Sequence, residues 1–69
     1  MNIITSGVNQ LDVDANGKSV AEIRKMLSQA LNISPESQPI LNGEHAVNED
    51  YILQAADQIE FVKSSGEKG

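Results

Sequence analysis

The chain has 69 residues, ten acidic and five basic, and a net charge of −5. It is one small domain that buries roughly 60% of the surface its unfolded chain exposes, and without a single cysteine it has neither disulfides, a thiolate metal site nor a cysteine nucleophile. The acidic balance disfavours nucleic acid and anionic membranes and favours protein partners. No apolar run approaches a membrane span, and Met1-Asn-Ile-Ile-Thr5 lacks the basic start and apolar stretch of a signal peptide, so the expected location is cytoplasmic.

In chain order, Asn2–Thr5 is a short β-branched stretch, turned at Ser6-Gly7 or Asn9-Gln10, and Leu11-Asp12-Val13 alternates apolar and polar. This predicts a first hairpin. Ala15-Asn-Gly-Lys18 breaks the strand, and Ser19-Val-Ala-Glu22 has the spacing of a capping box, with serine and glutamate each bonding the other's backbone N–H. Val20, Ile23, Leu27, Ala30 and Leu31 then recur at helical spacing. The predicted helix starts at Ser19 and ends before Pro35, with Glu22, Arg24, Lys25, Ser28 and Gln29 on its other face and Met26 filling a gap on its flank. A loop follows to Gln38.

Pro39-Ile-Leu41 reads as extended, Asn42-Gly43 supplies the positive dihedrals of a tight turn, and Glu44–Val47 continues beyond it. Asn48–Leu53 reads as a loop with room for one helical turn, and Gln58–Lys63 as the last strand. The fold class expected is α+β, a β-grasp arrangement of a mixed four- to five-stranded sheet with one helix across one face. Residues 1–63 form the domain and 64–69 a flexible C-terminal tail. The expected core is Ile3, Leu11, Val13, Val20, Ile23, Leu27, Leu41, Leu53, Ile59 and Phe61.

Three segments resemble a family. Ser19-Val-Ala-Glu-Ile-Arg-Lys-Met-Leu27 is similar to the "T-V-x-E-L-L" helix start of the small sulfur carriers of thiamine and molybdopterin synthesis (ThiS/MoaD-like). Pro39-Ile-Leu-Asn-Gly-Glu44 resembles their "V-N-G-E" turn, and Leu53–Val62 their "L-x-D-G-D-x-I-E-I-V" strand. The end, Phe61–Gly69, resembles that of bacterial ubiquitin-like proteins such as the small C component of PRTRC systems. The resemblance implies a ubiquitin-like carrier or modifier, not itself an enzyme and monomeric when free. A ThiF/MoeB-like activating enzyme would adenylate its Gly69 carboxylate with ATP, for sulfur transfer or for joining a lysine; the chain itself needs no cofactor. Gly66 would be a flexible point. Sulfur carriers end in Gly-Gly, whereas here Glu67-Lys68 separates Gly66 from Gly69. That interruption favours the alternative, a non-conjugating module that binds protein through its exposed sheet face.

Alternation places Ile40 and Val62 on the sheet face away from the helix, with Ile4 beside them. In ubiquitin the matching region is an apolar patch that partners bind, so Ile4, Ile40 and Val62 become partner-binding candidates, and Lys68 joins them as a tail charge. Lys63 reads as solvated. Asp12-Val-Asp-Ala-Asn-Gly17 opens like a calcium loop, but the twelfth position, where a bidentate acid belongs, is Ile23. A strand-turn-helix junction is the better reading. His45 has no second histidine or cysteine with which to share a metal and reads as an exposed turn residue. Tyr51 should pack over its loop and Asp57 cap a turn before the last strand. One histidine and no acids paired in a recognisable acid–base arrangement leave little from which to build an active site.

Overall fold

The computed structural model describes residues 1–63, so the expected tail at 64–69 lies outside the described residues. Strands β1 (Asn2–Ser6) and β2 (Asn9–Val13) are followed by helix α1 (Val20–Leu27), then β3 (Gln38–Leu41), β4 (His45–Ala46) and β5 (Ile59–Val62). They form a mixed five-stranded sheet in the order β2-β1-β5-β3-β4. β1 and β5 are parallel and the other neighbours antiparallel. This is a small α+β fold with one helix on one sheet face. No helix among the described residues is long and apolar enough to cross a membrane.

The first hairpin turns at Gly7-Val8, with Gly7 at φ 62° and Ser6 opposite Asn9. A glycine with positive φ at the first of two turn positions is the type II′ pattern, whose twist matches that of the strands it joins.

The helix start is as its residues predict. Ser19 Oγ accepts from the Glu22 N–H at 3.1 Å, and Glu22 Oε1 accepts from the Ser19 N–H at 2.8 Å. The backbone bond from Ser19 holds the Glu22 carboxyl below the usual carboxylate range. The two remaining free N–H groups of the first turn are met by the segment before β5: Val20 donates to Tyr51 O at 3.0 Å and Ala21 to Glu49 O at 2.9 Å. The expected helical turn in Asn48–Leu53 is absent. Instead the Tyr51 N–H bonds Asn48 O at 3.1 Å in a tight turn at Glu49-Asp50, and the chain then runs along the helix start, with an isolated bridge between Ile52 and Ser19.

The helix is shorter than its apolar stripe. Regular α1 ends at Leu27, one further turn closes with Leu31 N–H on Leu27 O, and Asn32 enters the left-handed region at φ 53°. Ile33 then donates to Ser28 O at 3.0 Å and Asn32 to Gln29 O at 3.4 Å, the paired bonds of a Schellman closure. Leu31 and Ile33 are buried by this turn; Ala30 is exposed, and so is Met26, which fills no gap in the core.

The core joins Val20, Ile23 and Leu27 of α1 to Ile4, Leu41, Ile59 and Phe61 of the sheet, with Ala15, Leu31, Ile33 and Leu53 from connections. Two expected core residues are corrected. Ile3 is half-buried on the opposite sheet face, and Leu11, although on the core side, is 37% exposed because β2 is an edge strand. Val13 is half-buried against the core. Asn2 sets the parity of β1. Its side chain is buried, its Nδ2 donates to Gln54 O and Asp57 O at 3.1 and 2.9 Å, and its Oδ1 accepts from the Ala15 N–H at 2.9 Å. With Asn2 inward, Ile4 must point inward too.

Ala56 sits at φ 71°, a left-handed conformation that disfavours side chains. Ala56→Gly is expected to raise stability by about 0.5–1 kcal/mol, relief of left-handed strain outweighing the extra freedom of glycine in the unfolded chain. Urea denaturation of the pair checks this; a lower midpoint for the glycine variant would contradict it.

Candidate functional site

The sheet face away from α1 is assembled by register alone. Ile40 lies opposite Glu60 on β5 and Ala46 on β4, while Val62 lies opposite Gln38. Across β5, Glu60 aligns with Thr5 of β1, and Ile3 aligns with Asp12 of β2. This open face carries three large aliphatic side chains, Ile3, Ile40 and Val62, among polar residues and the carboxylates of Asp12 and Glu60. Val62 is 41% exposed and Ile40 half-buried.

Of the predicted contact residues, Ile40 and Val62 are on this face and Ile4 is not. Ile4 is fully buried in the core against α1, and Ile3 takes the place on the open face. The physical reason is the inward Asn2: two adjacent isoleucines satisfy either parity, and the polar residue before them decides it. Gly66, Lys68 and Gly69 lie outside the described residues.

At the end of β5 the chain passes a cleft of about 400 Å³. It is lined by the hairpin tip Ser6–Asn9, by Ser34 and Ser37 from the loop after α1, and by Phe61–Lys63. Lys63, the last described residue, is exposed at this cleft.

Two side-chain networks hold the frame around these surfaces. Arg24, read from the sequence as a solvent-facing residue, places its guanidinium 4.9 Å from the centre of the Phe61 ring. It donates to both Glu49 carboxylate oxygens, to Ser34 O, and to Ser37 Oγ and O, at 2.7–3.0 Å. All five guanidinium donors are used. The second network ties the Asn42-Gly43 turn to the start of β5. Asn42 and Gly43 both have positive φ, 52° and 71°, and Asn42 Oδ1 accepts from the Gln58 N–H at 2.8 Å. Asp57 accepts from Tyr51 Oη at 2.7 Å, from the Gln54 N–H at 2.9 Å and from Asn42 Nδ2 at 3.3 Å. Asp57 thus caps its turn as the sequence predicts, and Tyr51, half-buried, lies against the core.

The Tyr51 hydroxyl and the Gln54 amide hold the Asp57 carboxyl below its ordinary value, and the same bond to Asp57, with burial, raises Tyr51. A depressed acid stabilises the fold fully above its unfolded value, 3.8 for aspartate, and that contribution is lost as pH falls through the folded value. Unfolding midpoints are expected to drop as pH falls below the ordinary aspartate value, less so in Asp57→Asn; equal slopes would contradict this role. Tyr51 has the opposite sign: its contribution is lost only as pH rises through its raised value.

His45 is exposed on β4 opposite Leu41, as a turn-adjacent residue. Among the described residues, no three His, Asp or Glu side chains are grouped to hold a metal ion. The first four N–H groups at the start of α1 are already bonded within the chain, so that helix end offers no anion site. No family model, curated protein or solved structure matches the chain.

Proposed function

We propose that this chain is a ubiquitin-like protein of β-grasp type that acts as a carrier or modifier. A protein partner recognises its open sheet face around Ile40 and Val62, and an adenylating enzyme activates the Gly69 carboxylate with ATP. The observation that carries the reading is the strand order β2-β1-β5-β3-β4, with β5 central and parallel to β1. That order agrees with the β-grasp layout implied by the three resembling segments, and it supports a frame in which β5 leads directly into residues 64–69. The chemistry itself comes from the resemblance.

A second reading is favoured by the exposure of Val62 and by the interruption of the glycine pair by Glu67-Lys68. In it the same fold binds a partner through the sheet face and undergoes no reaction at Gly69. The two readings separate in one experiment with the adenylating enzyme from the same cells. For a carrier, removing Gly69 abolishes ATP–pyrophosphate exchange, and unchanged exchange rejects the carrier. For a binding module, Ile40→Asp or Val62→Asp weakens partner binding while tail removal leaves it intact; the reverse pattern rejects the module.

A further inference from the structure

The two edges of the sheet differ. β4 has only two residues, and a very short edge strand is one of the ways sheets avoid pairing with other chains. β2 has five residues in unbroken register with β1, contains neither proline nor lysine, and is exposed from Asn9 to Asp12.

The hairpin fixes where its backbone groups point. A two-residue turn makes Ser6 and Asn9 a hydrogen-bonded pair, and bonded pairs recur at every second position, Ile4 with Leu11 and Asn2 with Val13. Gln10 and Asp12 therefore direct both their N–H and C=O groups away from β1, along the free edge. Among the described residues, no hydrogen bond outside the sheet ladders uses these four groups. They match the spacing of one added strand.

We propose that the β2 edge is a strand-addition site for an extended segment of a partner protein in which aliphatic and basic residues alternate. The backbone of that segment bonds Gln10 and Asp12. On the core side its side chains lie beside Leu11, which is 37% exposed, and half-buried Val13. On the other side they lie beside Asp12, on a strand with one carboxylate and no cation. Charge also decides against a second copy of the chain as the occupant, because two molecules each carrying −5 repel. This edge lies across β1 and β5 from Ile40 and Val62, although Asp12 belongs to the same open face, and it stands whether or not Gly69 reacts.

The test uses the full chain, a short synthetic peptide of alternating valine and lysine, and amide hydrogen exchange read by NMR. In the free chain the Gln10 and Asp12 amides are expected to exchange readily and the Leu11 amide, bonded to β1, slowly. Adding the peptide should protect Gln10 and Asp12. Gln10→Pro removes one outward N–H at an edge position that tolerates proline, and should weaken binding about tenfold. Should that variant fold poorly, peptides N-methylated on one or the other set of alternate residues leave the protein untouched, and only one set should lose binding. Equal binding by both methylated peptides overturns the proposal. So does binding of the alternating peptide that leaves Gln10 and Asp12 unprotected, and so does a non-alternating peptide of the same composition that binds as tightly. Protection that rises with protein concentration in the absence of peptide would make a second copy the occupant and overturn the assignment.

Discussion

Replacing Asn2 by aspartate is expected to destabilise the protein by about 3 kcal/mol at neutral pH, against the 3–5 kcal/mol that a core of this size commonly supplies. The substitution hardly changes shape. It keeps the acceptor for the Ala15 N–H but replaces the amide donor with a carboxylate oxygen facing the carbonyls of Gln54 and Asp57. Two carbonyls then lose their donor and a buried charge gains no counterion. The pH response distinguishes this mechanism from general disruption. Burial among carbonyls raises the new carboxyl in the folded state, so the variant regains stability as pH falls, opposite to the acid loss expected from Asp57 in the parent protein. Urea denaturation at neutral and acid pH reads both. A change within about 0.5 kcal/mol, the usual range for surface substitutions, would contradict the buried clamp.

Arg24→Met is expected to cost about 2–3 kcal/mol while preserving the aliphatic stem over Phe61. Of the five bonds lost, three go to the Ser34–Ser37 turn, where Ser37 is buried, and two to Glu49, whose side chain is 48% exposed. The turn contacts should dominate, because exposed ion pairs contribute only about 0–1 kcal/mol. Glu49→Gln alone should therefore have a small effect, and added salt should hardly change the cost of Arg24→Met. Arg24→Lys should fall between, since an ammonium cannot reproduce the planar fork that meets Ser34, Ser37 and Glu49 together. If Glu49→Gln costs as much as Arg24→Met, the ion pair rather than the turn is the source of stability. Calorimetric or urea unfolding of the three variants decides this.

What is local in this fold is legible in its residues. Ser19 and Glu22 start the helix through bonds spanning three positions, and Asn42-Gly43 turns the chain through its own dihedrals. Alternation alone assigns Ile40 and Leu41, or Phe61 and Val62, to opposite faces. The parity of β1 is different. Ile3 and Ile4 are interchangeable as neighbours, and the deciding bonds of Asn2 reach Gln54 and Asp57, more than fifty positions away. Arg24 is missed for a related reason: helical spacing finds the face of α1 that meets the sheet but not the later turn that covers its flank. Leu31 continues the helical stripe, yet regular helix stops at Leu27 and its last turn winds into Asn32 at positive φ. The open face is thus two-thirds legible in its aliphatic residues, with Ile3 standing where alternation alone puts Ile4.

The central claim concerns what happens to the Gly69 carboxylate, and intact mass spectrometry of the protein isolated from its own cells reads it directly. The account predicts a fraction carrying a thiocarboxylate, or an isopeptide bond from Gly69 to a lysine of another protein. A free carboxylate on every molecule, in cells where the adenylating partner is present and active, would contradict it and leave the sheet-face binding module as the function.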